Sequence, residues 1–385
     1  MSSFVVVGRL PASAILPEGE VLLVSAEVET LGPVMISLRT RYLEEEGQTH
    51  PLPAGMQFEV LGEAPDIRTA ASAFWNAAVS FVPCISFCSN AFFGRPECEL
   101  AFQQSADHGE RAFFQRFVPA ERIVPSSPRI IRSELRLATT RFILSLAGHK
   151  HNGRANRAIN QYYHALGYWR PGDELLALAH LFMAAEALAK CALDQHLEKT
   201  GETKRGMSQL WGVEEKHLVS MARRRLVFKG DDRCHDAAKD ASDAFEHGYK
   251  DYHDLRPLAA QYTVKTAGYV RQAVVAMSGV CPVSAAVLRS HLFDNPIGPL
   301  RLETYLWGKL IGDVEDPAAE GQAYPIMQWN SGIKSYTRSS DGTYSFKPEH
   351  TITPKLANGV QFRGERMEIW DGSTIGVETL PQEVT

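Results

Sequence analysis

One stretch, from Leu175 to Leu193, limits the folds open to this chain more than any other. It is apolar at almost every position, with Glu186 as a rare charged residue near its middle. A helix that is apolar around its whole circumference is stable only when other elements surround it. A turn at residues 170–173 precedes the stretch, and Asp173 is suited to cap the amino terminus of the helix. The sequence therefore predicts a helix at the centre of a bundle.

Helical spacing continues on both sides of this stretch. Apolar side chains recur every three or four residues between Ile130 and Leu166. After a polar loop at residues 201–206, helical segments resume at 221–226, 233–247 and 258–277. The sequence thus predicts an all-α domain over residues 129–280.

The amino-terminal part has the pattern of a sheet packed on a helix. Runs rich in β-branched residues at 4–7, 21–28, 34–42 and 57–61 predict strands, and two more are expected at 97–102 and 111–117. The apolar run from Ala70 to Phe93 is interrupted by polar residues, so it predicts a buried helix, kinked at Pro83, and not a membrane span. Residues 1–128 therefore predict a mixed α+β domain that ends in a linker at 125–128.

The carboxy-terminal part returns to strand patterns. Residues 281–325 contain several prolines and predict a connecting segment with short helices. Beyond it, the turn residues Ser340–Thr343 predict a hairpin, and Asn358-Gly359 predicts a second turn. Residues 326–385 are therefore expected to be β-rich. The predicted fold class is α+β, with a central helical bundle between a mixed amino-terminal domain and a small β-rich region.

The composition indicates a globular protein and excludes several classes of function. Hydrophobic residues make up 44% of the chain, which excludes global disorder, and the net charge of −5 gives no general attraction to nucleic acid. Six scattered cysteines form no C-x-x-C pair, and the amino terminus has no secretory signal. We therefore expect free thiols and a cytoplasmic protein. No metal-ligand or cofactor-binding motif is found, so neither a metal nor a cofactor is expected.

A polar helix predicted over residues 237–247 ends on His247, which Gly248 follows. Together with the upstream segment 160–190, this arrangement resembles the helical HEPN domains over residues 150–275. The longer stretch 1–280, with its Ser89-Asn90-Ala91 motif, is similar to bacterial proteins labelled methylamine utilization protein MauJ, a label without an established mechanism. The HEPN resemblance implies a helical bundle that forms homodimers.

Many HEPN domains are ribonucleases with an Arg-polar-x-x-x-His motif, in which the histidine transfers protons and the arginine stabilises phosphate charge. On this chain the resemblance places His247 at the histidine, Asp243 at the polar position and Ser242 at the arginine position. Asp243 lies one turn before His247, where it is suited to orient the imidazole and to raise its pKa. Ser242 cannot supply the cation. The resemblance therefore implies a non-catalytic or weakly catalytic relative.

Acidic residues share the predicted face of His247. Positions 236, 240, 243, 251 and 254 are spaced so that one continuous helix would carry an acidic stripe with His247 in its middle. Such a stripe repels phosphates. Alternatively, Lys239, Lys250 and Arg256 offset its charge on a solvated face, and Gly248 splits the stripe if it ends the helix.

Basic residues concentrate upstream, between Arg111 and Arg157, close to Tyr162 and Tyr163. Cations beside aromatic rings are typical of sites for single-stranded nucleic acid. The alternative is that the same cations pair with an acidic surface, within the chain or across a dimer. A second basic run lies at 223–225. The candidate RNA-binding residues are Arg129, Arg132, Arg136, Arg154, Arg157 and Arg225.

Three functions are compatible with these patterns. The first is a HEPN-like interaction module for RNA or protein, with little or no catalytic activity. The second is a metal-independent RNA endonuclease of a defence or toxin system, in which His247 works with an arginine from another helix, such as Arg225 or Arg233. The third is an accessory protein of amine catabolism. A homodimer is expected, the carboxy-terminal region is a candidate protein-binding extension, and no membrane partner is expected.

Overall fold

The computed structural model describes residues 1–43, 52–104, 111–116, 129–170, 172–247, 252–299, 303–312, 314, 317–322, 325–338, 344–370 and 375–378. These residues form α-helices and mostly antiparallel sheets in separate parts of the chain, so the predicted α+β class is confirmed. The described residues up to Pro299 form one compact unit, and those from Glu303 onward form a second.

The first unit begins with a six-stranded antiparallel sheet and a short parallel strand pair. The sheet order is β3-β4-β5-β1-β6-β7, and β2 pairs with β8. The strands are β1 (Ser2–Leu10), β2 (Ala14–Ile15), β3 (Leu22–Val28), β4 (Gly32–Leu43), β5 (Leu52–Ala64), β6 (Glu97–Gln103), β7 (Phe113–Gln115) and β8 (Arg129–Ile130). All six strands predicted for this part are therefore present, although β7 is shorter than expected.

The helix that packs on this sheet is α1 (Ile67–Ser89). It begins where the Asp66 side chain accepts hydrogen bonds from two backbone N–H groups, each at 2.9 Å, and it ends at Asn90 in the left-handed conformation, with φ of 50°. The helix is continuous through Pro83, so no break accompanies that residue. Its inner face, which includes Phe74 and Ala78, is fully buried in the core.

The remaining helices of the first unit surround one central helix. They are α2 (Ser133–Ala147), α3 (Asn152–Gly167), α4 (Glu174–Thr200), α5 (Lys204–Trp211), α6 (Leu218–Ala222), α7 (Asp232–His247), α8 (Tyr252–Met277) and α9 (Pro282–Leu288). The apolar stretch found in the sequence forms most of α4, which packs against α3, α7 and α8. Leu178, Leu181 and Leu188 are fully buried, as expected for a helix with neighbours on all sides.

Sheet and helices share one hydrophobic core. Phe58 of the sheet, Phe74 of α1, Phe142 of α2 and Phe182 of α4 belong to the same buried cluster. The sequence predicts separate domains on either side of residue 128, whereas no division falls there in the described structure. Helix α9 and Phe293 also join this core, so residues 281–299 belong to the first unit and do not simply connect two domains.

A buried arginine ties distant parts of the first unit together. Arg271 of α8 donates hydrogen bonds to the carbonyl oxygens of Phe87, Cys88 (2.8 Å) and Leu288 (2.9 Å). The last carbonyls of a helix have no partner within the helix and form the negative end of its dipole. A guanidinium at the end of α1 therefore donates hydrogen bonds to these carbonyls and places a positive charge at the negative end of the dipole. Asn90, which follows α1, accepts a hydrogen bond from the Tyr162 hydroxyl at 2.6 Å.

The second unit consists of two small sheets. Its strands are β9 (Glu303–Ile311), β10 (Ile326–Arg338), β11 (Tyr344–Lys355), β12 (Gln361–Trp370) and β13 (Ile375–Glu378). The predicted hairpin is confirmed, because β10 pairs antiparallel with β11, although its turn residues lie outside the described part. Gly359 has φ of +87° and forms the second predicted turn. The strand after it, β12, pairs with β9 and β13, and β9 lies within the segment predicted as a connection.

Two helices, α1 and α4, are long and apolar enough to cross a membrane. In their most apolar windows, 44% and 61% of the residues are buried inside the protein, and core helices share this length and composition. The cytoplasmic location stays a prediction.

Candidate functional site

The predicted catalytic histidine, His247, is the last residue of α7 and is largely exposed. A carboxylate oxygen of the adjacent Glu246, Oε2, lies 4.0 Å from Nε2 of His247. Gly248 and Asp251 lie outside the described residues, and the next helix starts at Tyr252. The acidic stripe predicted for one continuous helix runs through these residues, so its continuation beyond His247 stays a prediction.

Ser242 is a packing residue. It is 2% exposed and lies on the buried face of α7 with Ala238 and Ala241, where α7 packs against α4 and α8. A small side chain is required where helices approach closely, and an arginine there would place its charge inside the core. Ser242 therefore packs between helices in this structure, and its place in the predicted motif stays a prediction.

Asp243 does not orient His247 as predicted. Its carboxylate forms an ion pair with Lys239, one turn earlier on the same helix. Asp236 is held similarly by Arg224, whose Nη2 lies 2.7 Å from the Asp236 carboxylate. The acidic face of α7 is thus neutralised in part by cations of this chain, in agreement with the alternative interpretation of the stripe.

Neither arginine expected to complete a ribonuclease site is suited to that role. The Arg225 guanidinium lies 5.6 Å from the ring centre of Trp211, in a cation–π arrangement. Arg233 lies on α7 itself, fourteen residues before His247, which corresponds to about 21 Å along the helix axis. A single scissile phosphate cannot contact both Arg233 and His247.

Two of the predicted RNA-binding arginines have structural roles. Arg129 donates to the carbonyl oxygens of Ser89 (3.2 Å) and Asn295 (2.6 Å), and its burial near the charge of Arg271 lowers its pKa to about 10. Arg136 donates to the carbonyl of Val21 at 2.8 Å, and its Nε lies 3.0 Å from a carboxylate oxygen of Glu20. Arg129 thus joins β8 to the end of α1 and to Asn295, and Arg136 joins α2 to the residues just before β3.

The other predicted arginines lie at separate places. Arg132 occupies the N-cap position of α2, and its exposed side chain interacts with another residue of the chain. Arg154 is half-buried on α3, where its charge acts on the thiol of Cys191. Arg157, one turn later, is exposed and donates to the carbonyl of Gly153 at 3.3 Å. The structure therefore places Arg132 one turn from Arg136 and Arg154 one turn from Arg157, and RNA binding by these residues stays a prediction.

A groove with a volume of about 960 Å³ lies beside α3 in the first unit. We call it the α3 groove. It is lined by residues 79–84 of α1, by Ile143, Leu146 and Ala147 of α2, by the face of α3 that carries Asn152 to Tyr168, and by Phe92 and Arg95 of the preceding loop. A groove of this size, mostly apolar with a few polar groups, is the usual form of a ligand site.

Polar side chains form a row along the α3 wall of the groove. Asn152, Asn156, Asn160 and His164 follow one another at intervals of four residues and all line the groove. Asn152 is already engaged, since it donates to the carbonyl of Ala147 at 3.2 Å and accepts a hydrogen bond from Asn156. This leaves the Asn156 carbonyl oxygen, the Asn160 amide and the His164 imidazole to face a ligand.

The opposite wall contributes an acceptor and an apolar floor. Proline has no N–H, so Pro83 leaves the carbonyl of Val79 without its usual helical donor, and both residues line the groove. Cys84 lies at the floor, and burial raises the pKa of its thiol to about 12. A thiol with such a pKa is protonated at neutral pH and is not a nucleophile. Cys84 therefore contributes to the apolar floor of the α3 groove and does not act as a nucleophile there.

Aromatic rings close the carboxy-terminal end of the groove. Phe92 stacks on Tyr163 with a centre distance of 5.6 Å, and this contact places the Arg95 loop against the second half of α3. Arg95 is exposed and is the cation that lines the groove there, with His164 nearby. No carboxylate of the described residues lines the groove. Its electrostatic character therefore favours an anionic or neutral ligand.

His180 packs against this end of the groove, and its titration makes the stability of the fold depend on pH. It stacks on Tyr168 and its Nδ1 bonds to Gln161 Oε1 at 2.8 Å. Burial, and then the charge of His164, lowers the pKa of His180 to about 4. Folding therefore disfavours its protonation, and the stabilisation present above pH 6.5 is lost as the pH falls from 6.5 towards 4.

We expect the free energy of unfolding to fall in this pH range by about 1–2 kcal/mol on account of His180. The full shift corresponds to about 3 kcal/mol, and partial exposure of the ring reduces it. Urea unfolding at pH 7 and pH 4.5 should show a smaller loss for His180→Gln than for wild type. The exposed His217→Gln serves as the control and should behave as wild type. Equal losses in His180→Gln and wild type would contradict the assignment.

One pattern in the sequence could have indicated the residues of the α3 groove. It is the four-residue spacing of three asparagines and His164 on a predicted helix. That spacing indicates a polar face but does not show that α1 and α2 enclose it. Arg95 gives no local signal, because its position depends on the contact between Phe92 and Tyr163.

Within the described ranges no group of three or more histidine, cysteine, aspartate or glutamate side chains is arranged to hold a metal ion. Comparison with protein-family models, curated proteins and solved structures gives no match to this chain.

Proposed function

We propose that this chain is a HEPN-like protein that does not cleave RNA and that acts by binding a partner protein in the α3 groove. The observation that carries the proposal is the contrast between two places in the first unit. The end of α7 has an exposed histidine beside the Glu246 carboxylate, whereas the α3 groove combines an apolar floor with the side-chain amides of Asn156 and Asn160.

The HEPN-like assignment is supported by two features of the helical part. The buried α4 is surrounded by α3, α7 and α8, and α7 ends on His247. The homodimer implied by the resemblance, the carboxy-terminal region as a second protein-binding site and the role in amine catabolism stay predictions.

Protein is favoured over RNA as the partner because of the charges. RNA presents a phosphate at every nucleotide, and its binding depends on cations at comparable intervals. The groove has one arginine, Arg95, among its described lining residues, and Arg129 and Arg136 are engaged with backbone carbonyls elsewhere. A protein segment needs no such series of cations.

The test has an RNA arm and a peptide arm. Labelled single-stranded RNA, incubated with the full chain with and without EDTA, is expected to stay intact, and His247→Ala should behave as wild type. Short random peptides displayed on phage are expected to yield binders to wild type. These binders should be lost with Ala147→Trp, because Ala147 is exposed at the end of α2 and a tryptophan there fills the groove.

Leu144→Trp is the matched control, because Leu144 is an exposed residue of the same helix that does not line the groove. It should retain every peptide binder. RNA cleavage that His247→Ala abolishes would establish the endonuclease alternative and refute the proposal. Failure to select any peptide whose binding depends on the groove would also refute the proposal. Salt-dependent RNA binding that is lost in Ala147→Trp would show that the groove binds RNA and not a protein.

A further inference from the structure

We infer that the α3 groove binds its partner as an extended peptide whose backbone is held by Asn156 and Asn160. The inference rests on the proposed function and specifies the conformation and chemistry of the partner. It is drawn from the spacing of polar groups on the groove walls and from the charges at one end.

The spacing of the amides matches an extended chain. Asn156, Asn160 and His164 are one helical turn apart, so they repeat about every 6 Å along α3. Alternate residues of a β-strand repeat about every 6.7 Å, and they direct their N–H and C=O groups to the same side. Across the three side chains the mismatch is about 1.4 Å in total, which rotamer changes can absorb. A carboxamide offers both a donor and an acceptor, so it can bind both backbone groups of one peptide residue.

The opposite edge of such a peptide would face α1. Its intervening residues present their N–H groups to that side, where the carbonyl of Val79 lacks the helical donor that Pro83 cannot supply. The peptide side chains then point alternately to solvent and to the floor formed by Val82, Ile143 and Ile159. An apolar residue at every second position is therefore expected.

A helical partner fits these walls less well. A helix satisfies its own backbone groups and presents only side chains, which would leave the Asn156 carbonyl oxygen and the Asn160 amide without partners in a desolvated groove. An extended segment pairs them.

The end of the groove near Tyr163 selects a carboxylate. Arg95 and His164 lie there, and no described carboxylate lines the groove. The negative group of the partner is either an acidic side chain or the carboxy terminus of its chain. Both offer the same charge and the same acceptor oxygens to a guanidinium.

Synthetic peptides made from the selected binders test the inference on the full chain. Backbone N-methylation at successive positions should weaken binding at least tenfold at alternate residues, whose N–H groups face α3. It should have less effect at the residues between them, of which one donates to the Val79 carbonyl. Asn160→Leu should weaken binding about tenfold, as expected for two lost hydrogen bonds. Arg157→Leu, one turn earlier on α3 and outside the groove lining, should leave the affinity unchanged.

The carboxylate is tested with two peptide forms. Amidation of the peptide carboxy terminus should weaken binding to wild type but not to Arg95→Ala if that terminus is the anion. If only replacement of an acidic residue by its amide has this effect, the anion is a side chain. If neither change distinguishes wild type from Arg95→Ala, the proposed role of Arg95 is refuted.

The failures of the two proposals are distinguishable. Two results would refute the extended mode and leave the proposed function intact, provided that the peptides still need the groove. The first is a loss of affinity on N-methylation that does not alternate along the peptide, and the second is unchanged binding to Asn160→Leu. Absence of any binder that depends on the groove would refute both. The N-methyl series requires no protein variant, so its result does not depend on how Asn160→Leu folds.

Discussion

Replacement of Arg271 by alanine is expected to lower the free energy of unfolding by about 4 kcal/mol. The guanidinium donates to three carbonyl oxygens, those of Phe87, Cys88 and Leu288, and it lies over the Phe87 ring at 5.1 Å. Its removal takes a donor from each of these buried acceptors, of which Phe87 keeps only the backbone N–H of Asn90, and it opens a cavity between α1 and α8. Burial lowers the pKa of Arg271, but its hydrogen-bond partners keep the charged form in place.

Urea unfolding, monitored by circular dichroism, measures this loss. Arg271→Lys should recover only part of it, because one ammonium group cannot reach three carbonyls in a planar arrangement. Arg256→Ala, an exposed position on the same helix, is the control and should change the free energy by less than about 0.5 kcal/mol. A loss at Arg271→Ala as small as that of the control would mean that the carbonyls are solvated and that the arginine has no structural role.

The second large effect is expected for Gly8→Ala, with a destabilisation of about 3 kcal/mol. Gly8 lies in β1 where the pairing with β6 shifts register after Val7. A Cβ atom there would lie 2.2 Å from the ring of Trp75 and 2.5 Å from the carbonyl oxygen of Glu97. The ring belongs to α1 and the carbonyl to the neighbouring strand, so the methyl group would force helix and sheet apart.

Thermal and urea unfolding should show this change, and Gly148→Ala is the matched control. A Cβ atom at Gly148 meets nothing within 4 Å, and its backbone has φ of −84°, so alanine there is expected to be neutral or slightly stabilising. The double variant Gly8→Ala with Trp75→Leu should be less destabilised than the sum of the single variants, because the smaller side chain relieves part of the clash. Additive effects would indicate that the glycine is not required by the close packing of Trp75.

The sequence allowed the secondary structure to be predicted where the pattern is local. The β-branched runs of β1, β3, β4 and β5 and the apolar helix α4 were found because burial on one or both faces leaves a periodic signal in the chain. The pairing of strands in the second unit could not be predicted from the sequence in the same way. The turn at Gly359 indicated a change of direction, but nothing in its neighbourhood showed that β12 pairs with β9.

The candidate site was mostly beyond prediction, for a physical reason. The roles of Arg129 and Arg271 depend on carbonyl groups far away in the chain, and an arginine that binds carbonyls has the same local sequence as one that binds phosphate. Ser242 illustrates the converse problem. Its place in the predicted motif indicated a lost catalytic cation, whereas its burial between helices shows that the position requires a small side chain.

The arginine contacts at the end of α1 also bear on how this protein can evolve. Arg271 joins α8 to Phe87 and Cys88 across more than 180 positions of the chain, and Tyr162 reaches Asn90 across 72. The helical part of the first unit is therefore not a portable module, because its stability depends on residues encoded well before its first helix. A gene rearrangement that transferred only residues 129–280 would separate Arg271 and Tyr162 from the groups they satisfy. Inheritance of the sheet and the helices as one block is the arrangement that preserves the fold.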